Sequence, residues 1–204
     1  HSQSLEAILA HVPGIKVGAP STPADAYAMT RAAVADPDPV ILVEARELYQ
    51  SKGEVDLGAA PEQTSGARLR RSGNGLAIIT WGPMVHRALA AAETLSAAGI
   101  EAGVLDLRWL NPIDDEAVAE AVRQAGGRVL VVHEANRTGG LGAEIAARIA
   151  ESLHGELSAP VARLGTPDTR IPAAPSLQGS LIPGAAAIVS AAQRLVQSVS
   201  QAVA

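Results

Sequence analysis

Leu76-Ala77-Ile78-Ile79-Thr80, Ala102-Gly103-Val104-Leu105-Asp106-Leu107 and Val129-Leu130-Val131-Val132-His133 are short apolar runs separated by segments of helical periodicity. None of the three alternates polar with apolar residues, which is the pattern of strands covered on both faces. The intervening segments predict helices from about Val85 to Ala98 and from Asp114 to Ala125. Strands spaced by helices of this length specify right-handed crossovers, and so a mostly parallel sheet between two helical layers.

Downstream, a Gly-rich turn, a helix from about Leu141 to Leu153, a strand Pro160 to Leu164, an irregular loop and a helix from about Pro183 to Val199 are expected. Upstream, residues 4 to 11 carry a helical pattern that stops at Pro13-Gly14, and Ile15-Lys16-Val17 reads as a strand. Thr22 is a good N-cap with Pro23 at the first helical position and Asp25 in the first turn. That helix should run to about Ala35 and bury Ala26, Met29, Ala33 and Val34. Asp36-Pro37-Asp38-Pro39 stops it, and Val40-Ile41-Leu42-Val43 reads as a strand buried on both faces. From Glu47 to about Gly75 the pattern lapses into an extended linker with at most a short strand. Three units follow: 1–46, the 47–74 linker, and 75–204.

A hydrophobic content of 48% in 204 residues is ample for a core, and no apolar stretch approaches the roughly 20 residues of a membrane span. A net charge of -5 with scattered Lys and Arg leaves no basic stripe, so neither nucleic acid nor membrane is an expected partner. Zero cysteines exclude disulfides, Cys-zinc sites and thiol catalysis, and fit a reducing, cytoplasmic setting.

The chain opens on His1-Ser2-Gln3-Ser4-Leu5-Glu6-Ala7, with no initiator Met and no leading strand, and is read as a fragment starting inside a domain. This opening resembles the beta subunit of the thiamine-diphosphate-dependent 2-oxoacid dehydrogenases, pyruvate or branched-chain type, in the transketolase-like group. So do His11 to Val17, Pro20 to Ala26, Asp36 to Glu44, Leu48-Tyr49, Asp106 to Asp114 and His133 to Glu144, in that order. The resemblance implies an α/β fold: the tail of a pyrimidine-binding domain, then a transketolase C-terminal-like three-layer α/β/α domain. It implies the alpha subunit of the enzyme, a second beta subunit and the lipoyl acyltransferase as partners. It also implies thiamine diphosphate with Mg2+, held mainly by the alpha subunit and by sequence upstream of His1, without which this fragment should be inactive.

His1 is the catalytic and cofactor-facing residue that the resemblance implies. A protonatable imidazole there can donate to the alkoxide that forms from a 2-oxoacid carbonyl. By the same resemblance Asp36, Asp38 and the carbonyls of Ala33 and Val34 lie where relatives hold a structural K+, although Asp-Pro-Asp-Pro is also ordinary helix-stopping sequence. Thr138-Gly139-Gly140-Leu141-Gly142 follows a strand and opens a helix, the setting of a phosphate turn, but lacks Gly-x-Gly-x-x-Gly spacing; tight packing is the expected reason for its glycines. His133, Glu134 and Arg137 close a strand and are assigned to assembly, with a buried structural His133 as the alternative. Asp106 and Arg108 are expected to pair with each other, and His11, His86 and His154 to be surface or satisfied histidines. Asp168-Thr169-Arg170-Ile171-Pro172 resembles the family's Asp-x-Pro-x-Pro loop, with Arg170 and Ala173 departing from it.

Transketolase or 1-deoxyxylulose-5-phosphate synthase is the rival enzyme reading, favoured less by Ser2-Gln3-Ser4 and Leu42-Val43-Glu44. A non-catalytic assembly module and, more weakly, a dinucleotide-binding domain are the rivals from other classes.

Overall fold

The computed structural model describes the backbone of residues 2–202 and the side chains of residues 2–198. His1 lies outside the described residues.

Two sheets lie side by side. The smaller takes α1 (Glu6–Ala10), β1 (Lys16–Gly18), α2 (Pro23–Ala35) and β2 (Val40–Leu42), with β1 and β2 parallel. Thr22 caps α2 as expected, its Oγ1 accepting from the Asp25 amide at 3.1 Å. The buried stripe of α2 differs from expectation. Asp25, Met29 and Ala32 face inward, whereas Val34 is 84% exposed, because the helix packs along one seam against β2 and Trp109. The β2 residues are half-buried rather than covered on both faces, since β2 is an edge strand.

The larger sheet has the order β3-β5-β4-β7-β8, formed by Arg68–Arg71, Ala102–Asp106, Leu76–Thr80, Val129–Asn136 and Ala162–Thr166. Its four later strands are parallel, and β3, the short strand at the end of the linker, runs antiparallel along β5. Helices α3 (Met84–Ala97) and α7 (Ala185–Ala202) cover one face, where Leu76, Ile78, Val104 and Leu130 meet Ala88, Ala92 and Ile188. The opposite face carries α4 (Asp115–Gln124) and α5 (Leu141–Ser152), against which Ile79, Leu105, Val129 and Val131 pack. The helical turn α6 (Pro175–Gln178) lies in the irregular loop. Ala at the helix–sheet contacts allows the close approach that a chain without Phe requires.

One element was invisible to local periodicity. β6 (Trp109–Asn111) leaves the larger sheet and pairs antiparallel with β1, completing the smaller one. Arg108, at φ 56°, makes the turn between the two sheets. The C-terminal half of the chain therefore contributes a strand to the N-terminal half.

Candidate active-site cleft

A cleft of about 780 Å³ runs between the halves, where β1, β2, β4 and β7 end. The carboxyl ends of parallel strands are where open α/β sheets bind ligands, because side chains and loops converge there without covering helices. The segment after His1 forms one wall, from Ser2 to Glu6, and Glu44, Glu47, Trp81 and Glu134 face it from the strand ends. Two bonds hold this wall in place. Ser2 Oγ donates to the Ile171 carbonyl at 3.1 Å, and Trp81 Nε1 donates to Glu6 Oε1 at 3.2 Å.

Trp81 in turn stacks on His133, with centroids 5.6 Å apart and planes 7° from parallel. His133 is fully buried inside the chain, and neither ring nitrogen has a hydrogen-bond partner among the described residues. Burial, reinforced by Arg163 and Arg137, lowers its pKa to about 4, so the imidazole is neutral at pH 7. The Gly-rich turn surrounds this ring. A Cβ on Gly142 would lie 2.4 Å from His133 Cδ2, and one on Gly140 2.8 Å from Cε1. The glycines serve close packing, as expected, while His133 is a structural residue.

Glu134, one residue on, behaves oppositely. Burial, with help from the nearby Glu47 and Glu6 charges, pushes its carboxyl up to about 7. The native chain therefore holds this proton between pH 4.5 and 7 while the unfolded chain releases it, so stability falls as pH rises through that window. Glu134→Gln abolishes the loss. Relative to wild type the variant should gain roughly 3 kcal/mol as pH rises from 4.5 to above 7, a gain visible in urea titrations across that range. A stability difference that stays flat with pH would contradict the assignment.

Beside the cleft, a buried ionic junction joins the halves. Ser21 Oγ donates to Asp106 Oδ2 at 2.6 Å and lies 3.1 Å from Asp25 Oδ2, and the Arg70 guanidinium bridges both carboxylates. Arg108 pairs with Asp25 at 2.9 Å and with Glu62, which also binds Arg68 at 2.8 Å. Burial opposes ionisation of Asp25, but the Thr22 hydroxyl together with Arg70 and Arg108 outweighs it and holds this carboxyl below the usual range. Asp106 goes the other way, raised chiefly by burial. The expected pairing of Asp106 with Arg108 is therefore replaced: Arg108 gives Asp106 only its backbone amide, at 3.1 Å, and the strand ends between them. His86 is satisfied by the Ser21 carbonyl at 2.7 Å.

At the end of α2, Asp36 and Asp38 both turn to Lys16, with Nζ 2.7 Å from Asp36 and 3.2 Å from Asp38. Hydrogen bonds from Lys16 and then from Thr64 lower the Asp36 carboxyl to about 2. Both carboxylates thus face the Lys16 ammonium, and the terminal carbonyls of α2, Ala33 and Val34 among them, are the further oxygen donors here. No group of three ligating His, Asp or Glu side chains occurs among the described residues. No described helix is long and apolar enough to cross a membrane.

The family model for the transketolase C-terminal domain matches residues 65–188, and that for the transketolase pyrimidine-binding domain matches residues 1–52. The chain belongs to the transketolase C-terminal domain family. The two matches meet across the cleft, and the unmatched stretch between them, residues 53–64, lies within the linker that leads to β3. Among curated proteins, the beta subunit of an acetoin:2,6-dichlorophenolindophenol oxidoreductase from Cupriavidus necator is 41% identical over 97% of this chain and 58% of its own length. A 2-oxoisovalerate dehydrogenase beta subunit from Bacillus subtilis is 45% identical over 86% of this chain and 53% of its own length. The chain thus spans somewhat more than half the length of these relatives. Among solved structures, a split-gene transketolase described as an inactive beta4 tetramer superposes with a TM-score of 0.76 at 27% identity, over 94% of this chain and 60% of its own.

Proposed function

We propose that this chain is the C-terminal part of the beta subunit of a thiamine-diphosphate-dependent dehydrogenase acting on a 2-oxoacid, with acyl transfer to a lipoyl arm. The observation that carries the reading is the 41–45% identity with beta subunits of acetoin, 2-oxoisovalerate and pyruvate enzymes, running through both family matches in their order on one chain. Thiamine diphosphate with Mg2+ would supply the carbon nucleophile when bound. In the sequence this chain offers His1 as the proton donor to the oxygen of the attacked carbonyl. Ser2, anchored on Ile171, and Glu6, anchored on Trp81, fix the segment that follows it in the sequence. An alpha subunit and upstream sequence complete the site, and an acyltransferase receives the product. A K+ on Asp36, Asp38 and the carbonyls of Ala33 and Val34 belongs to the same proposal, as does a cytoplasmic location.

Acetoin is a second substrate reading, favoured by the Cupriavidus relative, whose match extends over nearly all of this chain. Turnover of pyruvate, 2-oxoisovalerate and acetoin by the assembled enzyme separates the two.

His1→Ala in the full-length two-subunit enzyme should lower turnover by about 10²- to 10⁴-fold, the usual worth of a positioned general acid, with assembly unchanged. Unchanged turnover would leave this chain a scaffolding role only.

A further inference from the structure

We propose that Trp81 is a positioning residue for the proton donor: its indole N–H holds Glu6, and with it the start of α1 and the segment that follows His1. The inference rests on the His1 reading above and adds to it the group in the C-terminal half that sets its geometry.

The segment has little of its own to hold it. Helix α1 is five residues long, far below the roughly 12–15 at which a helix persists on local forces, and its N-cap, Leu5, makes no side-chain hydrogen bond. Tertiary contacts must therefore fix it. Ser2 Oγ ties one end to the Ile171 carbonyl, and Trp81 Nε1 ties the other through Glu6 Oε1. Both ends of the stretch thus hang on the C-terminal half.

The residue type at position 6 separates positioning from packing. Glu6 is the buried residue of α1, while Ala7, Leu9 and Ala10 beside it are half-buried. Burial raises its carboxyl pKa and carries a desolvation cost that an apolar side chain of similar length would not. An apolar side chain would fill the space but could accept no directed bond. Oε2 has no partner among the described residues, so Trp81 is the side chain that orients the carboxyl.

Trp81 can hold that direction because it is itself fixed. It is buried and stacked on His133, and Gly140, Gly142 and Gly165 approach the His133 ring at distances that leave little room for a Cβ. The column from His133 through Trp81 to Glu6 carries the rigidity of β7 and the Gly-rich turn to the segment after His1. A misplacement of about 1 Å at a reacting group can cost on the order of a hundredfold in rate, so this support bears on turnover more than on substrate binding.

The test uses the full-length two-subunit enzyme with thiamine diphosphate and Mg2+. Trp81→Phe keeps a ring on His133 and removes the N–H; it should lower kcat at least about tenfold, with substrate KM within about twofold of wild type. Glu6→Leu removes the same bond from the other side and should give the same loss, and the double variant should lose no more than either single one. Because Glu6→Leu leaves Trp81 and its stack in place, it decides the matter if Trp81→Phe folds poorly. Repeating Trp81→Phe in the His1→Ala background tests the route, since a residue acting through His1 should cost nothing further there. Wild-type kcat in either single variant, or the same loss in the His1→Ala background, overturns the inference and leaves the His1 reading standing. Unchanged turnover in His1→Ala alone removes the reading on which it rests.

Discussion

Arg70→Ala should destabilise the full-length protein by about 3–5 kcal/mol, the range for breaking a buried ion pair on one side only. Asp25 and Asp106 have fully buried side chains, and Arg70 Nη2 bridges the two. Removing it leaves buried Asp106 with the Ser21 hydroxyl and the Arg108 amide but no cation, and Asp25 with the Ser21 and Thr22 hydroxyls, Arg108 and the more distant Arg68. The contrast is the neighbouring Arg71→Ala. Arg71 meets Glu101 at 3.0 Å in a surface pair whose two side chains are 29% and 50% exposed, so its loss should cost under about 1 kcal/mol. Urea denaturation of both variants measures the difference. Because the junction spans β3, β5 and α2, Arg70→Ala should also speed amide exchange in α2, the element the ion pair clamps from the far half. Equal costs for the two arginines would refute the idea that this junction holds the halves together.

Gly142→Ala should destabilise by roughly 1–3 kcal/mol through overpacking, despite the higher helix propensity of Ala, worth about 1 kcal/mol at most. The added methyl would sit 2.4–2.5 Å from Cδ2 and Nε2 of His133, and the ring has nowhere to go. Trp81 is stacked on it, and Gly140 and Gly165 approach within a distance where their own Cβ atoms would touch it at 2.8 Å and 3.0 Å. The cost should largely disappear when His133 is also replaced by Ala, giving a favourable coupling in the double-mutant cycle. Additive losses would show that the turn, and not the imidazole, requires the glycine.

What the sequence made legible follows the range of the forces involved. The Thr22 cap and the core strands β4, β5 and β7 depend on neighbours within a few residues, so their signals are local. Arg70 with Asp106, and the glycine cradle of His133, depend on partners 36 residues apart and on a turn together with the separate strand β8. No window of periodicity contains them. The β6 strand failed for the same reason: three residues after a turn have no pattern of their own, and their partner is β1, nearly a hundred residues earlier. Asp106 and Arg108 misled because alternation implies a continuing strand, and the strand stops at Asp106. The two family-like halves and the order of their motifs were readable, whereas the acidic character of the cleft emerged only once Glu6 and Glu134 were brought to the same wall.

The central claim is most directly tested by assaying the full-length protein with and without its alpha partner, in the presence of thiamine diphosphate and Mg2+. The account predicts decarboxylation of a 2-oxoacid, or cleavage of acetoin, only when both subunits and the cofactor are present. Transfer of two-carbon units between sugar phosphates by the full-length protein alone would contradict it.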